Sequence, residues 1–320
     1  MRRIFLLPII ILASTLSGCG FVAEVSAPRK QASIERSSAA LKADEMFWAT
    51  LHSGNYQNIQ PVLETEAAAY LANPSDPKTA AHIGWLHIWR IAERNRIADL
   101  GSTITDDATL ARKYFSEAAA LDETDARLSG FLASAEMAEG EIHRSEADTR
   151  RGYFRMLKAI DAWPEFNLFT GGYVMSQQPA SSERFRQALD WQWENLDVCA
   201  GEKVDRTTGD YSKYMRLETH EGKARVCWNS WIAPHNFEGF FLNMGDMLVK
   251  SGDWRLARRI YENAKLSASY GQWKYREALE RRISDAERNV AAFNEAKPAP
   301  ADYRRIMFQT GYACMACHRE

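Results

Sequence analysis

Three side chains near residue 320 have the types and spacing to do chemistry: Cys314, Cys317 and His318, in the run GYACMACHRE. Two thiols at this spacing can close into a redox disulfide, supply half of a zinc site, or add across the two vinyl groups on one edge of a haem. The last option also uses the neighbouring imidazole, because His318 can lie under the ring and ligate the iron. A redox pair of this kind usually opens a helix in a βαβ setting, which the sequence lacks. A closed zinc site needs four ligands, and no second pair of suitable spacing lies nearby. A plain disulfide between Cys314 and Cys317 stays open as an alternative.

The compartment weighs on this choice, and the other end of the sequence bears on the compartment. Arg2 and Arg3 precede an apolar run, Ile4 to Leu16, which is followed by small residues. That run would cover only ~20 Å as a helix, against a hydrocarbon core of ~30 Å, so it reads as an export signal rather than a span. Leu16-Ser17-Gly18-Cys19 resembles the lipobox of bacterial lipoproteins. The resemblance implies that Cys19 carries lipid and begins the mature chain, with residues 1–18 removed and the membrane as an anchor. Gly20 is not the aspartate that favours inner-membrane retention in that family, which directs the expectation to an outer membrane facing the periplasm. In an exported chain, Cys-x-x-Cys-His has the form of the c-type haem attachment signature, so one covalent haem c is expected. Loss of Arg2 and Arg3 takes 40 basic side chains to 38 against 42 acidic ones, a formal charge of −4. A nucleic-acid partner is not expected at that charge.

Five cysteines are present in all. With Cys19 assigned to lipid and the two near residue 320 to haem, Cys199 and Cys227 remain. They enclose a polar run rich in turn residues, in a compartment that permits disulfides. A bond between them would close a loop of ~28 residues and stabilise by roughly 3 kcal/mol through lost chain entropy.

The elements that must position these groups read as helices. Residues 19–40 are small and polar, a tether. From 41 to 293 long stretches are rich in Ala, Arg, Glu and Leu, and the alternating signature of strands is nearly missing. Phe241, Gly245 and Leu248, then Gly252-Asp253-Trp254, then Ala257, Tyr261 and Ala264 form one window. This window resembles a tetratricopeptide repeat. Gly245 would let the first helix approach its mate, and Tyr261 would fill the space between. Looser echoes place Gly84 opposite the helix bearing Ala111, Phe115 and Ala118, put an exit at Ala159 and Pro164, and put a turn at Gly54-Asn55-Tyr56. The resemblance implies an all-α fold, a tetratricopeptide-like α-solenoid of antiparallel helix pairs; an irregular helical bundle is the other reading. Residues 294–320 form a linker, broken by Pro298 and Pro300, and a short haem-binding tail. Ile306, Met307 and Phe308 would dock the tail on the body.

No methionine follows Cys317, so either a sixth iron ligand comes from upstream or from another chain, or the iron is five-coordinate. His235 and Met244 are the expected candidates, in a region that also holds His220, Trp228, Trp231 and Met247. His82 and His87 would fall on different sides of their helix and read as surface or capping residues. No paired carboxylates or nucleophile motif stand out. The chain therefore reads as an electron carrier or binding protein rather than a catalyst. On this reading a lipid-anchored monohaem cytochrome docks an envelope protein or redox partner on its solenoid and passes single electrons. Two alternatives remain: an envelope adaptor with a terminal disulfide, and an open-site haem enzyme or sensor.

Overall fold

A computed structural model describes residues 22–23, 25–97, 100–228, 236–295 and 304–310. Among them the chain is all-α, built from helices and 3-10 turns with no strand. In chain order the α-helices are α1 (Ser38–Ser53), α2 (Ile59–Ala72), α3 (Pro77–Glu93), α4 (Ile104–Leu121), α5 (Ala126–Ile142) and α6 (Glu146–Ala162). They continue with α7 (Pro164–Met175), α8 (Glu183–Ala200), α9 (Phe237–Ser251), α10 (Trp254–Glu262) and α11 (Arg276–Asn294).

Local chemistry sets most of the starts. Ser37, Asp76, Thr103, Asp125, Ser145, Ser182, Asn236 and Asp253 each accept a hydrogen bond from a first-turn amide of the helix that follows. Each such cap satisfies a donor that the helix itself leaves unpaired. Pro77 and Pro164 occupy first helical positions, where the missing amide costs nothing. Consecutive helices then pack as pairs: α1 with α2, α3 with α4, α5 with α6, α7 with α8, and α9 with α10.

Close approach within two of these pairs depends on glycine. A Cβ at Gly84 on α3 would lie 2.8 Å from the Phe115 ring on α4, and one at Gly245 on α9 would lie 2.2 Å from the Tyr261 ring on α10. Both positions and both facing rings follow the repeat pattern of the sequence. Overfilling such a contact costs about 1–3 kcal/mol. The body departs from a regular solenoid at its last pair and after α8. The second helix of the last pair is short and runs on as a 3-10 turn, Asn263–Leu266. Between α8 and α9 a long segment carries 3-10 turns at Ser212–Leu217 and Lys223–Cys227.

The core divides along the array. One cluster, around Phe47, Trp89, Phe115, Phe131 and Phe166, fills the space among α1 to α7. Another, around Trp228, Phe241, Tyr261, Trp273 and Leu279, fills the opposite end and takes in Ile306 and Met307. Between them sits a smaller cluster of Met156, Phe185, Trp191 and Met247. The segment after α8 has no core of its own, in line with its composition, and lends Val204, Tyr211 and Tyr214 to the second cluster.

Candidate functional site

The tail meets the body at one buried carboxylate. Asp246 follows Gly245 on α9, so the Tyr261 ring that lies over Gly245 brings its hydroxyl 2.6 Å from Asp246 Oδ1, to which it donates. Arg282 of α11 donates to the same oxygen through Nε at 2.8 Å, and neither Arg282 nor Asp246 has any exposed surface. The second oxygen, Oδ2, accepts the backbone amide of Met307 at 2.7 Å. Arg282 also donates to the Arg305 carbonyl and stacks on the Phe293 ring at 4.9 Å. Residues from α9, α10 and α11 thus fix the point where residues 305–307 cross the body. Ile306 and Met307 are buried beside it, and Thr310 closes a turn onto the Met307 carbonyl.

That crossing point leads to a cavity of about 490 Å3 among α3, α4, α5 and α7. Its walls include Trp85, Phe115, Phe131, Phe169 and Tyr173, and Phe308 of the tail. Phe308 packs on Tyr173 with ring centroids 4.8 Å apart. The polar lining is sparse. Glu141 and Gln177 stand at one side, with the Gln177 amide donating to Glu141 at 2.9 Å and the Gln178 amide donating to its other oxygen. Burial pushes the Glu141 carboxyl up, against the Gln178 hydrogen bond that favours its charged form. Among the described residues that line it there is no histidine, cysteine or methionine.

A lysine helps fix the same wall. Lys250 of α9 is buried, and its ammonium donates to the carbonyls of Ser176, Gln177 and Gln178 at 2.9, 3.2 and 2.7 Å, just past the last residue of α7. A cation at a helix C-terminus complements the unpaired carbonyls there. Burial pushes Lys250 down from 10.5 to about 8. Between pH 8 and 10.5 the unfolded chain therefore binds the proton that the folded chain has released, and stability rises with pH across that window. Lys250→Met should remove this rise. The expected result is that the difference in urea unfolding free energy moves in favour of the wild type between pH 7 and pH 10; a difference independent of pH rejects the assignment.

His82 and His87 of α3 are not surface or capping residues. Both are buried, and each faces a carboxylate on another helix. His87 Nδ1 lies 2.9 Å from Asp107 Oδ1 of α4, and Ser102 donates to the other oxygen at 2.8 Å. His82 Nδ1 lies 3.0 Å from Glu66 of α2 and 3.1 Å from Asp44 of α1, and its ring stacks on Phe47 at 4.0 Å. Arg36 forks onto Asp44 and also reaches Asp76 at 2.7 Å. Burial opposes charge on His82, but the two carboxylates outweigh it and raise its pKa. Burial likewise works against the Asp44 carboxylate, yet hydrogen bonds from Arg36 and His82 hold it well below its usual range. Arg36 and His82 set against Asp44, Glu66 and Asp76 make this cluster a polar network joining α1, α2 and α3.

The remaining sequence-expected residues divide by location. Cys19, His235, Cys314, Cys317 and His318 lie outside the described residues. Met244 and Trp228 are buried in the cluster that includes most of α9, and Met247 in the smaller cluster beside it; none of the three is among the described residues lining the cavity. His220 stands exposed. Cys199, on the last turn of α8, is bonded to Cys227, with Cα atoms 5.7 Å apart. Sequence reasoning missed the Asp246–Arg282 node and the aromatic cavity. The one available pointer was Phe308, six residues before Cys314. Comparison with protein-family models, with curated proteins and with solved structures returns no match for this chain. Among the described residues no helix is long and apolar enough to cross a membrane.

Proposed function

We propose that this protein is a lipid-anchored, monohaem c-type cytochrome of the bacterial envelope that docks a protein partner on its helical array and exchanges single electrons with it. The observation that carries the reading is Cys314-x-x-Cys317-His318 in a chain that opens with an export signal and a lipobox cysteine, Cys19. The donor set suits haem: two thiols for the two vinyl groups and an imidazole for the iron. The anchored crossing at Met307 and the apolar cavity beside it support the same reading, because a hydrophobic ring carried by the tail needs a dry wall nearby. Haem would supply a one-electron couple. The protein's part is to hold it, set its exposure and present it to a partner. Paired helices of this kind offer an extended face for such docking.

The test is production of the exported chain together with a c-type haem attachment system. The mature protein should carry the mass of one haem, show a Soret band, and lose both in Cys314→Ser/Cys317→Ser. Cys19→Ala should move it from the membrane to the soluble fraction. Correctly processed protein that is colourless, with Cys314 bonded to Cys317, rejects the cytochrome and leaves an envelope adaptor.

A further inference from the structure

We propose that Asp44, Glu66 and His82 hold a divalent metal ion of the zinc type, which ties α1, α2 and α3 together. The inference is independent of the cytochrome reading, since none of these residues belongs to the tail.

The sequence places one of the three where a carboxylate is costly. On α2, Glu66 stands four residues after Val62 and three before Ala69, on the stripe that faces the core, and it has no exposed surface. A charge at such a position has to be compensated. One oxygen, Oε1, meets His82 Nδ1 at 3.0 Å. The other, Oε2, is buried as well, and no donor among the described residues reaches it. Asp44 of α1 brings Oδ1 to 3.1 Å from the same His82 nitrogen. The donor atoms of the three residues all lie within 4.8 Å of one another. Donors on one tetrahedral zinc, with bonds of about 2.0–2.1 Å, stand roughly 3.3 Å apart. The two pairs that share Nδ1 are already near that spacing.

The groups behind these donors hold them in place. Arg36 forks onto Asp44, and Asp76 takes the Arg36 Nε at 2.7 Å while capping the start of α3. The His82 ring stacks on Phe47 with centroids 4.0 Å apart and an interplanar angle of 3°. Outer partners of this kind orient metal ligands and tune their affinity. The charges agree. With His82 bound as a neutral imidazole through Nδ1, its ring proton on Nε2, three carboxylates against one guanidinium leave two negative charges for a divalent ion to cancel. An imidazole among the donors favours zinc and its neighbours over magnesium or calcium, which take all-oxygen sets.

The ion also has a way in. Asp44 and His82 line a cavity of about 250 Å3. Asp122 and Asp125 on its wall are balanced by Lys78 and Arg127, so the pull on a cation comes from the three donors themselves.

The experiment uses the full mature protein, stripped with EDTA and titrated with Zn2+. One equivalent should bind in the micromolar range or tighter and raise the melting temperature, while Mg2+ does neither. X-ray absorption at the zinc edge should show imidazole nitrogen and oxygen donors at about 2.0–2.2 Å and no sulfur. Glu66→Gln keeps the side-chain size and a group to face His82. With native helix content, it and Asp44→Asn should each weaken Zn2+ by more than the roughly 10–100-fold that an outer-shell change costs. Asp76→Asn can still cap α3 and should stay within that range. Cys314→Ser/Cys317→Ser should bind as the wild type does, because the tail thiols are the competing zinc donors. Sulfur around the zinc, or loss of binding in the tail variant, assigns the ion to the thiols and overturns the proposal. So does a wild type that binds no Zn2+, or a Glu66→Gln that binds it equally well; the cluster is then a polar network with a protonated Glu66. The absorption spectrum is read on the wild type, so a variant that fails to fold leaves the proposal open to refutation.

Discussion

Replacing Asp246 with alanine is expected to lower the unfolding free energy by about 3–5 kcal/mol, the range found when one partner of a buried ion pair is removed. The reason is local. Arg282 has no exposed surface, and Asp246 is the carboxylate its Nε meets. Alanine leaves the guanidinium buried without that counter-charge, strips the Tyr261 hydroxyl of its acceptor, and frees the Met307 amide. Urea denaturation checks the magnitude. Hydrogen exchange checks the mechanism, since the Met307 amide should lose protection even in the milder Asp246→Asn. A double variant, Asp246→Leu with Arg282→Met, should recover much of the loss, because the stranded charge goes with its partner. A single alanine variant within 1 kcal/mol of wild type would mean that the node does not hold the tail. The structural consequence follows from the same geometry: a tail released at Met307 is no longer fixed against α9 and α11.

The fold was legible in the sequence where small residues set helix spacing. Gly245 with Tyr261 and Gly84 with Phe115 meet as the repeat pattern expects, because a missing side chain opposite a ring leaves a signature at fixed offsets. The helix starts were equally readable, since Ser, Thr, Asp and Asn caps act within a few residues. The pairing of α7 with α8 went unread; its contacts run through Trp191 and Gln192, which look like ordinary members of a charged helix. Arg282 was hidden in the same way. It stands in the run LERRISDAER, where every arginine reads as solvated until the Asp246 carboxylate is placed against one of them. His82 and His87 read as surface residues because their partners, Glu66 and Asp107, belong to other helices. The cavity could not be read at all. It is a gap among Trp85, Phe131, Tyr173 and Phe308, and a gap has no residue of its own to leave a pattern.

Loss of the Cys199–Cys227 bond should lower stability by about 3 kcal/mol, through the closure of a loop of sequence separation 28. The bond sits where the loss matters to the architecture as well as to the unfolded chain. Val226 enters the N-terminal core cluster and Trp228 enters the C-terminal one, so the turn carrying Cys227 contributes to both parts of the core. Trp228 stacks on Phe237 with centroids 5.8 Å apart, and Phe237 meets Phe241 at 4.9 Å, which couples the turn to the helix bearing Asp246. Cys199→Ser/Cys227→Ser should therefore shift the urea midpoint down by the amount that reduction of the wild type produces, and reduction should then have no further effect on the variant. Met307 amide exchange should quicken in the variant, because the tail anchor draws on the same cluster. Equal midpoints for oxidised and reduced wild type would deny the bond its role. An effect on stability without one on Met307 would confine that role to the loop. The expected coupling gives the bond a role beyond its own loop: the disulfide also steadies the platform on which the tail is fixed.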